Sequence, residues 1–542
     1  MVMKRVKSMH SVMKKFLLSI VAWSISLLCF AEKVLPPEVK GCVRTVGGQP
    51  LAGVVVSDGY QVVVTDAKGE YCFPRIPEAY YVFVSVPADC KVPLRQGQPV
   101  FYKKLEDAPS YDFYFEKLKA AENEFSLFLM ADPQCQYIWH VTRLRHEALP
   151  DMKAYAKKQH CPCYAMTLGD IGYSEGFRNT NYLLPVIREE MAVEKTGMPV
   201  FQTVGNHDFE YDLAALEPQS PTISIRRDRL YESVFGPCNY SFNRGEVHFV
   251  SMNDVVFESF GYPGKYHGDF SDEQVEWLRK DLSHVSKDKM VILCVHIPFE
   301  GVWKKYDNAG KVMAMLAEYP NCRIVSGHTH TIKHLKYENG VSEFVAGAMS
   351  GCWWWSKNCA DGAPNGYAVV RIRGNQIVDE IYKGQNFSEK YQMRIYRGDS
   401  EYGGPYEKFK MEHGASTILV NVWNWSEGWR SEVYENGKLA GELELMPTTG
   451  EFVAPYTGSK DWWSVGYNVG VVGRGHINGS HRNNYCSKCY HMLKYTMKDP
   501  AAKIKVKVYD PYGRCFTDSH IYTVEDYATH AVSPTYDIDP AW

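Results

Sequence analysis

Seven apolar stretches between Phe125 and about Lys383 each run four to six residues and give way to helical spacing before the next begins. They are Ser126 to Ala131, Tyr164 to Leu168, Val200 to Val204, Val247 to Met252, Val291 to Val295, Arg323 to Ser326 and Phe344 to Ala348. Strands alternating with helices predict an α/β core whose strand ends gather along a common edge. Five of the stretches end in residues able to hold a metal ion. These ends are Asp132-Pro-Gln134, Gly169-Asp170, Gly205-Asn206-His207-Asp208, His296 and Gly327-His328-Thr-His330. One local boundary is explicit: Ser271 and Gln274 form a capping box ahead of Val275, Leu278 and Leu282, predicting a helix from 272 to about 285.

Outside this region the pattern changes. From Val39 to about Phe115 short alternating apolar runs are broken by Gly, Pro and Asp turns, which predicts a small all-β domain over 38–116. Residues 116–124 are polar and read as its linker to a core spanning 124–384. Residues 385–414 lack periodicity and read as a second linker. Strands return in a β-rich domain over 415–542, as Ile418 to Val422 and Ile504 to Tyr509 indicate. At 542 residues the chain is long enough for several cores.

Residues 1–31 carry five Lys/Arg, no acid and the apolar run Phe16 to Phe30, too short for a membrane span of about 20 residues. They read as a secretion signal cut before Glu32, which places the mature chain in the periplasm or cell envelope with no transmembrane helix. Removing them leaves 55 basic against 63 acidic residues, a net −8, and no basic track suited to nucleic acid. Fourteen cysteines remain after Cys29, so disulfides are open to a chain in an oxidising space; Cys161/Cys163, Cys352/Cys359 and Cys486/Cys489 are the local candidates.

The five polar blocks, in this order and each after an apolar strand, resemble the calcineurin-like metallophosphoesterase superfamily. The resemblance implies a four-layer αββα core, two packed mixed sheets flanked by helices. It also implies two divalent ions, the first held by Asp132, Gln134, Asp170 and His330, the second by Asp170, Asn206, His296 and His328. Asp170 is then the bridge, and Gly169, Gly205 and Gly327 let the backbone turn tightly beneath the ions. His207 takes the place of a general acid for hydrolysis of a phosphate ester by in-line attack of metal-bound hydroxide. Asp208 either orients His207 or forms a turn.

Gln134 departs from the commoner Asp-x-His first block. The Asp-x-Gln form is shared with Mn-dependent ADP-ribose and CDP-alcohol diphosphatases, and an amide oxygen tilts the expectation toward Mn²⁺, with Mg²⁺, Zn²⁺ and Fe as alternatives. Gly169-Asp-Ile-Gly-Tyr173 is also similar to the purple acid phosphatase block in which a tyrosine binds ferric iron; otherwise Tyr173 lines the pocket. Asn206, Trp353, Trp354 and Tyr173 are the candidate substrate contacts, and Arg178 is a weaker phosphate anchor.

Leu51-Ala-Gly-Val-Val-Val-Ser-Asp followed by Thr65 to Tyr71 resembles the carboxypeptidase regulatory-like β-sandwich, and the whole layout is similar to three-part phosphoesterases of bacterial envelopes. The substrate class is then a small-molecule or envelope phosphoester. A diester or nucleotide-diphosphate bond is the alternative substrate. A rival of another class is a catalytically weak protein binding an envelope glycan. His476, His481, Cys486, Cys489 and His491 resemble a zinc cluster in composition, but their spacing fits no standard finger.

Overall fold

The computed structural model describes residues 36–173, 182–209, 222–258, 265–447, 460–474 and 482–531. Residues 1–31, read above as a secretion signal, and Arg178, His476 and His481 lie outside them.

The core holds two mixed sheets. One has the order Val200–Phe201, Cys163–Thr167, Glu124–Met130, Gly366–Arg373, Gln376–Gly384, with the first three strands parallel and the last two antiparallel. The other runs Tyr240–Arg244, Val247–Ser251, Met290–Cys294, Arg323–Ser326, Ser342–Val345, Lys333–Lys336, with its middle four strands parallel. Alternation along Glu124–Met130 decides the layering. Phe125, Leu127 and Leu129 pack with Phe249, Ile292 and Ile324 of the second sheet. Phe128 and Met130, on the opposite face, pack with Leu149 and Met152 of the helix Leu149–Ala156 and with Leu184 and Ile187 of the helix Leu183–Glu190. On the far side Asp272–Leu282 and Asp307–Leu316 cover the second sheet. Ser271 caps the former as the sequence predicts, its Oγ accepting from the Gln274 N–H at 3.2 Å while Gln274 Oε1 accepts from Ser271 N at 2.9 Å. That helix ends at Leu282, three residues short of expectation.

The N-terminal unit is a sandwich of a three-stranded and a four-stranded sheet. It docks on the core edge strand Tyr240–Arg244, where Asn243 N donates to Val86 O (2.9 Å) and Arg244 donates to Cys90 O (2.7 Å). Trp277 seals the contact, its indole N–H donating to Ser57 Oγ at 3.0 Å.

The C-terminal unit is a second sandwich, of two four-stranded sheets ordered Met393–Arg397, Thr417–Val422, Met492–Thr496, Glu444–Leu445 and Lys438–Gly441, Arg430–Glu435, Ile504–Tyr509, Cys515–Asp518. This corrects the reading of 385–414 as a linker: Met393–Arg397 is a buried strand of the first sheet, paired with Thr417–Val422. The alternation was hidden because Arg394, a charged residue, is buried there, its guanidinium 5.0 Å from the Trp423 ring and 4.3 Å from that of Trp463. Among the described residues none of the three local cysteine pairs is bridged.

Candidate metal centre

The five blocks meet at the strand ends where the two sheets lie together. Asp132, Gln134, Asp170, Asn206, His296 and His330 are buried and His328 is half-buried. The ligand atoms of Asp170, His296 and His328 lie within 4.8 Å of one another. Asp170 divides the cluster. Its Oδ2 accepts from Gln134 Nε2 at 3.0 Å, while its Oδ1 is 3.3 Å from His296 Nε2 and accepts from His207 N at 2.8 Å. His296 Nε2 is 2.9 Å from Asn206 Oδ1 and 3.1 Å from His328 Nδ1. On the other side His330 Nε2 is 3.3 Å from Asp132 Oδ1. These contacts bring the seven candidate residues together, with Asp170 facing both Gln134 and His296 and with His328 N donating to Asp132 Oδ2 at 2.9 Å.

Backbone geometry holds the ligands there. Asp132, Gln134, Asp170, His328 and His330 all have φ between +43° and +67°, a region that costs a non-glycine residue about 1–3 kcal/mol and persists only where surroundings over-determine it. The glycines give the room. A Cβ on Gly169 would lie 2.4 Å from His296 Nδ1, one on Gly205 2.1 Å from Asp170 N, and one on Gly327 2.6 Å from Asp132 Oδ2.

Charge is arranged around Asp170. Burial opposes a charge on His296, yet the Asp170 carboxylate outweighs it and lifts His296 to about 10. Burial and the neighbouring His296 push His328 down to about 3. The centre therefore favours positive charge beside Asp170. Gln134 Oε1 and His330 Nδ1 are buried polar atoms with no hydrogen-bond partner among the described residues, and with the carboxylates and histidines around them they form a donor set that fits divalent ions.

His207 is half-buried and its imidazole stacks on Tyr173, ring centroids 4.2 Å apart. Asp208 is fully buried, and its two oxygens accept from Gly172 N (2.8 Å) and Gly205 N (2.9 Å), so it ties two ligand loops together in the turn-forming role. Trp353 tilts over His330 at 4.8 Å and meets Tyr485 of the C-terminal unit at 5.2 Å. Trp354 is not a substrate contact. It is fully buried, its indole N–H donates to Pro133 O at 2.7 Å and its carbonyl accepts from Arg143. A turn through φ +49° and +64° sends the two neighbouring rings to different places, which strand alternation does not foresee.

Two residues outside the five blocks also reach the centre. Asp254 is buried and accepts from His296 N (3.1 Å) and Ile297 N (2.9 Å); burial raises it to about 7. It follows the apolar strand Val247–Ser251, the same strand-end signal that marks the ligands. Tyr266, from the small hairpin strand Tyr266–Gly268, sets its ring 5.9 Å from His328.

Family comparison agrees over most of the length. Residues 37–118 match the N-terminal model of the calcineurin-like phosphoesterases, 131–331 the calcineurin-like phosphoesterase model itself, and 343–516 the C-terminal model. No curated protein matches the chain. Similar solved structures include a dimetal phosphatase from Danio rerio (15% identity, 48% of this chain and 96% of that one, TM-score 0.32). A purple acid phosphatase from yellow lupin (12% identity, 62% and 68%, TM-score 0.31) and a 5'-nucleotidase precursor from Thermus thermophilus (12% identity, 52% and 62%, TM-score 0.29) are also similar. With the three models following one another along it, the chain belongs to the calcineurin-like phosphoesterases and is a phosphoric ester hydrolase that works with divalent metal ions.

Proposed function

We propose that the mature chain is an exported, periplasmic or envelope-associated binuclear phosphoesterase that hydrolyses a small-molecule or envelope phosphate ester, with Mn²⁺ as the first choice of ion. The observation that carries the binuclear reading is the division of Asp170, one carboxylate oxygen facing Gln134 and the other facing His296. Asp132, Gln134 and His330 would hold one ion and Asn206, His296 and His328 the other, with Asp170 between them. Two divalent ions so held supply an activated water and neutralise phosphoryl oxygens.

The protein's own residues do the rest. His207, anchored through its backbone N–H to Asp170 and braced by the Tyr173 ring, protonates the departing alkoxide. Asn206 presents its amide at the centre, and Trp353 with Tyr485 forms an aromatic wall beside His330 for the leaving group. The amide oxygen of Gln134 supports a hard ion such as Mn²⁺ over softer ones.

The test is hydrolysis of p-nitrophenyl phosphate and bis-p-nitrophenyl phosphate by metal-stripped protein re-supplied with Mn²⁺, Mg²⁺, Zn²⁺ or Fe. Turnover restored by metal supports the reading and separates monoester from diester. Two bound ions with turnover of neither ester would sink it in favour of a pyrophosphate-bond hydrolase or a binding protein. Export is tested by N-terminal sequencing of the cell-envelope fraction, where a chain beginning at Glu32 is expected.

A further inference from the structure

We infer that His491 of the C-terminal sandwich is a positioning residue for the metal centre, acting through Asp361 on the loop that carries His328 and His330. The inference rests on the binuclear reading and adds a residue to it.

The connection is a continuous set of buried hydrogen bonds. Ile332, two residues past His330, donates its backbone N–H to Asp361 Oδ2 at 2.7 Å. The same oxygen is 3.1 Å from His491 Nε2, and Asp361 Oδ1 accepts from Ala363 N at 3.0 Å. Asp361 is fully buried and His491 is 2% exposed, so bulk water does not reach either partner. His491 is itself fixed, with Nδ1 2.6 Å from Asn421 Oδ1. The amide of Asn421 is oriented by its Nδ2, which donates to Asp361 O at 2.9 Å and to Asp461 Oδ2 at 2.6 Å. Asp461 in turn accepts from Tyr396 OH (2.5 Å) and from Ser464 N (2.8 Å).

Two further observations give this network a purpose beyond packing. His328 and His330 stand at φ +67° and +54°, so their loop needs outside bonds to keep its shape. The core loop bearing Asp361 is also held against the C-terminal unit at closest approach. A Cβ on Gly362 would lie 2.1 Å from Asp461 Oδ2, and the Gly362 carbonyl accepts from Arg394. A carboxylate that receives the backbone two residues past His330 and is fixed by an imidazole steadies the loop that carries this ligand; loss of a partner bonded to a ligand itself typically costs about 10–100-fold in metal affinity, which is the upper reach of the effect here.

The experiment is Mn²⁺ titration of the full chain by calorimetry, with bound metal counted by elemental analysis, for wild type, His491→Ala, His491→Gln and His491→Asn. The expected result is that His491→Ala loses about tenfold or more in affinity for one of two ions, with kcat for p-nitrophenyl phosphate falling while KM stays within about twofold. His491→Gln, whose amide nitrogen reaches Asp361 from the place of Nε2, restores binding. His491→Asn, whose amide nitrogen sits nearer the place of Nδ1, does not. The Gln/Asn comparison decides the matter even where His491→Ala fails to fold. Ser464→Ala removes another bond across the same interface, from Ser464 Oγ to Cys359 O at 2.9 Å, without touching Asp361. Wild-type metal affinity in His491→Ala, or equal losses in Ser464→Ala and His491→Ala, would overturn the proposal. A wild-type chain that binds only one ion is a separate result: it removes the binuclear reading and this proposal with it.

Discussion

The ring of Tyr173 lies over the imidazole of His207, planes 17° from parallel and centroids 4.2 Å apart. The stack braces one face of the residue proposed as the general acid. His207→Ala is expected to lose about 10²–10⁴-fold in kcat on an alkyl phosphate and less on p-nitrophenyl phosphate, whose leaving group needs little protonation. Tyr173→Phe keeps the stack and is expected to retain activity. A visible absorption band in wild type that vanishes in Tyr173→Phe would instead make the phenol a ferric ligand.

Gly169 has φ +81°, and an added Cβ would meet His296 Nδ1 at 2.4 Å. Gly169→Ala should displace His296, lowering Mn²⁺ content and kcat together. Normal metal content in purified Gly169→Ala would contradict the packing argument.

Gln134, whose buried Oε1 is proposed as an oxygen donor, stands where the commoner first block has imidazole. Gln134→His is expected to raise the ratio of Zn²⁺-supported to Mn²⁺-supported turnover, because imidazole suits the softer ion. The check is parallel kcat/KM determinations on the metal-stripped variant; an unchanged ratio would take Gln134 out of the ligand set.

Five candidate ligands in left-handed backbone make the centre costly to hold without its ions. Chelation should lower the thermal midpoint by several degrees and Mn²⁺ should restore it, since a ligand that binds only the folded state stabilises by mass action. Scanning calorimetry with and without EDTA measures this.

Glu232, at the seam with the N-terminal sandwich, is raised to about 7 by burial, against the pull of Arg229 whose guanidinium is 2.6 Å away. A carboxyl raised above its unfolded value stabilises fully below that value, about 4.3, and the contribution is lost as pH climbs through about 7. Urea midpoints should therefore show wild type losing ground to Glu232→Gln between pH 5 and pH 8. Parallel midpoints across that range would refute it.

Much of this centre is legible in the chain because the candidate ligands sit where strands stop. A short apolar run followed by Asp, Asn or His after Gly marks Asp170, Asn206 and His328 without any knowledge of the fold. What stays hidden comes from partners distant in sequence. Asp361 and His491 are 130 residues apart, and neither lies in a recognisable pattern. Arg394 masked a core strand because a buried charge reads as a loop until the two tryptophans around it are known. Trp353 and Trp354 are adjacent and chemically alike, and only the local turn sends one to His330 and the other into the core.

The bond between Asp361 and His491 also sets an order of events during synthesis. Every candidate ligand has been made by residue 330, yet the imidazole that meets Asp361 arrives 161 residues later in the chain. A ribosome-bound or truncated chain that stops short of it has all the donors and lacks the brace. Full metal affinity would then mature only after the strand that follows His491 has joined the last sandwich, well after the ligands themselves have been made.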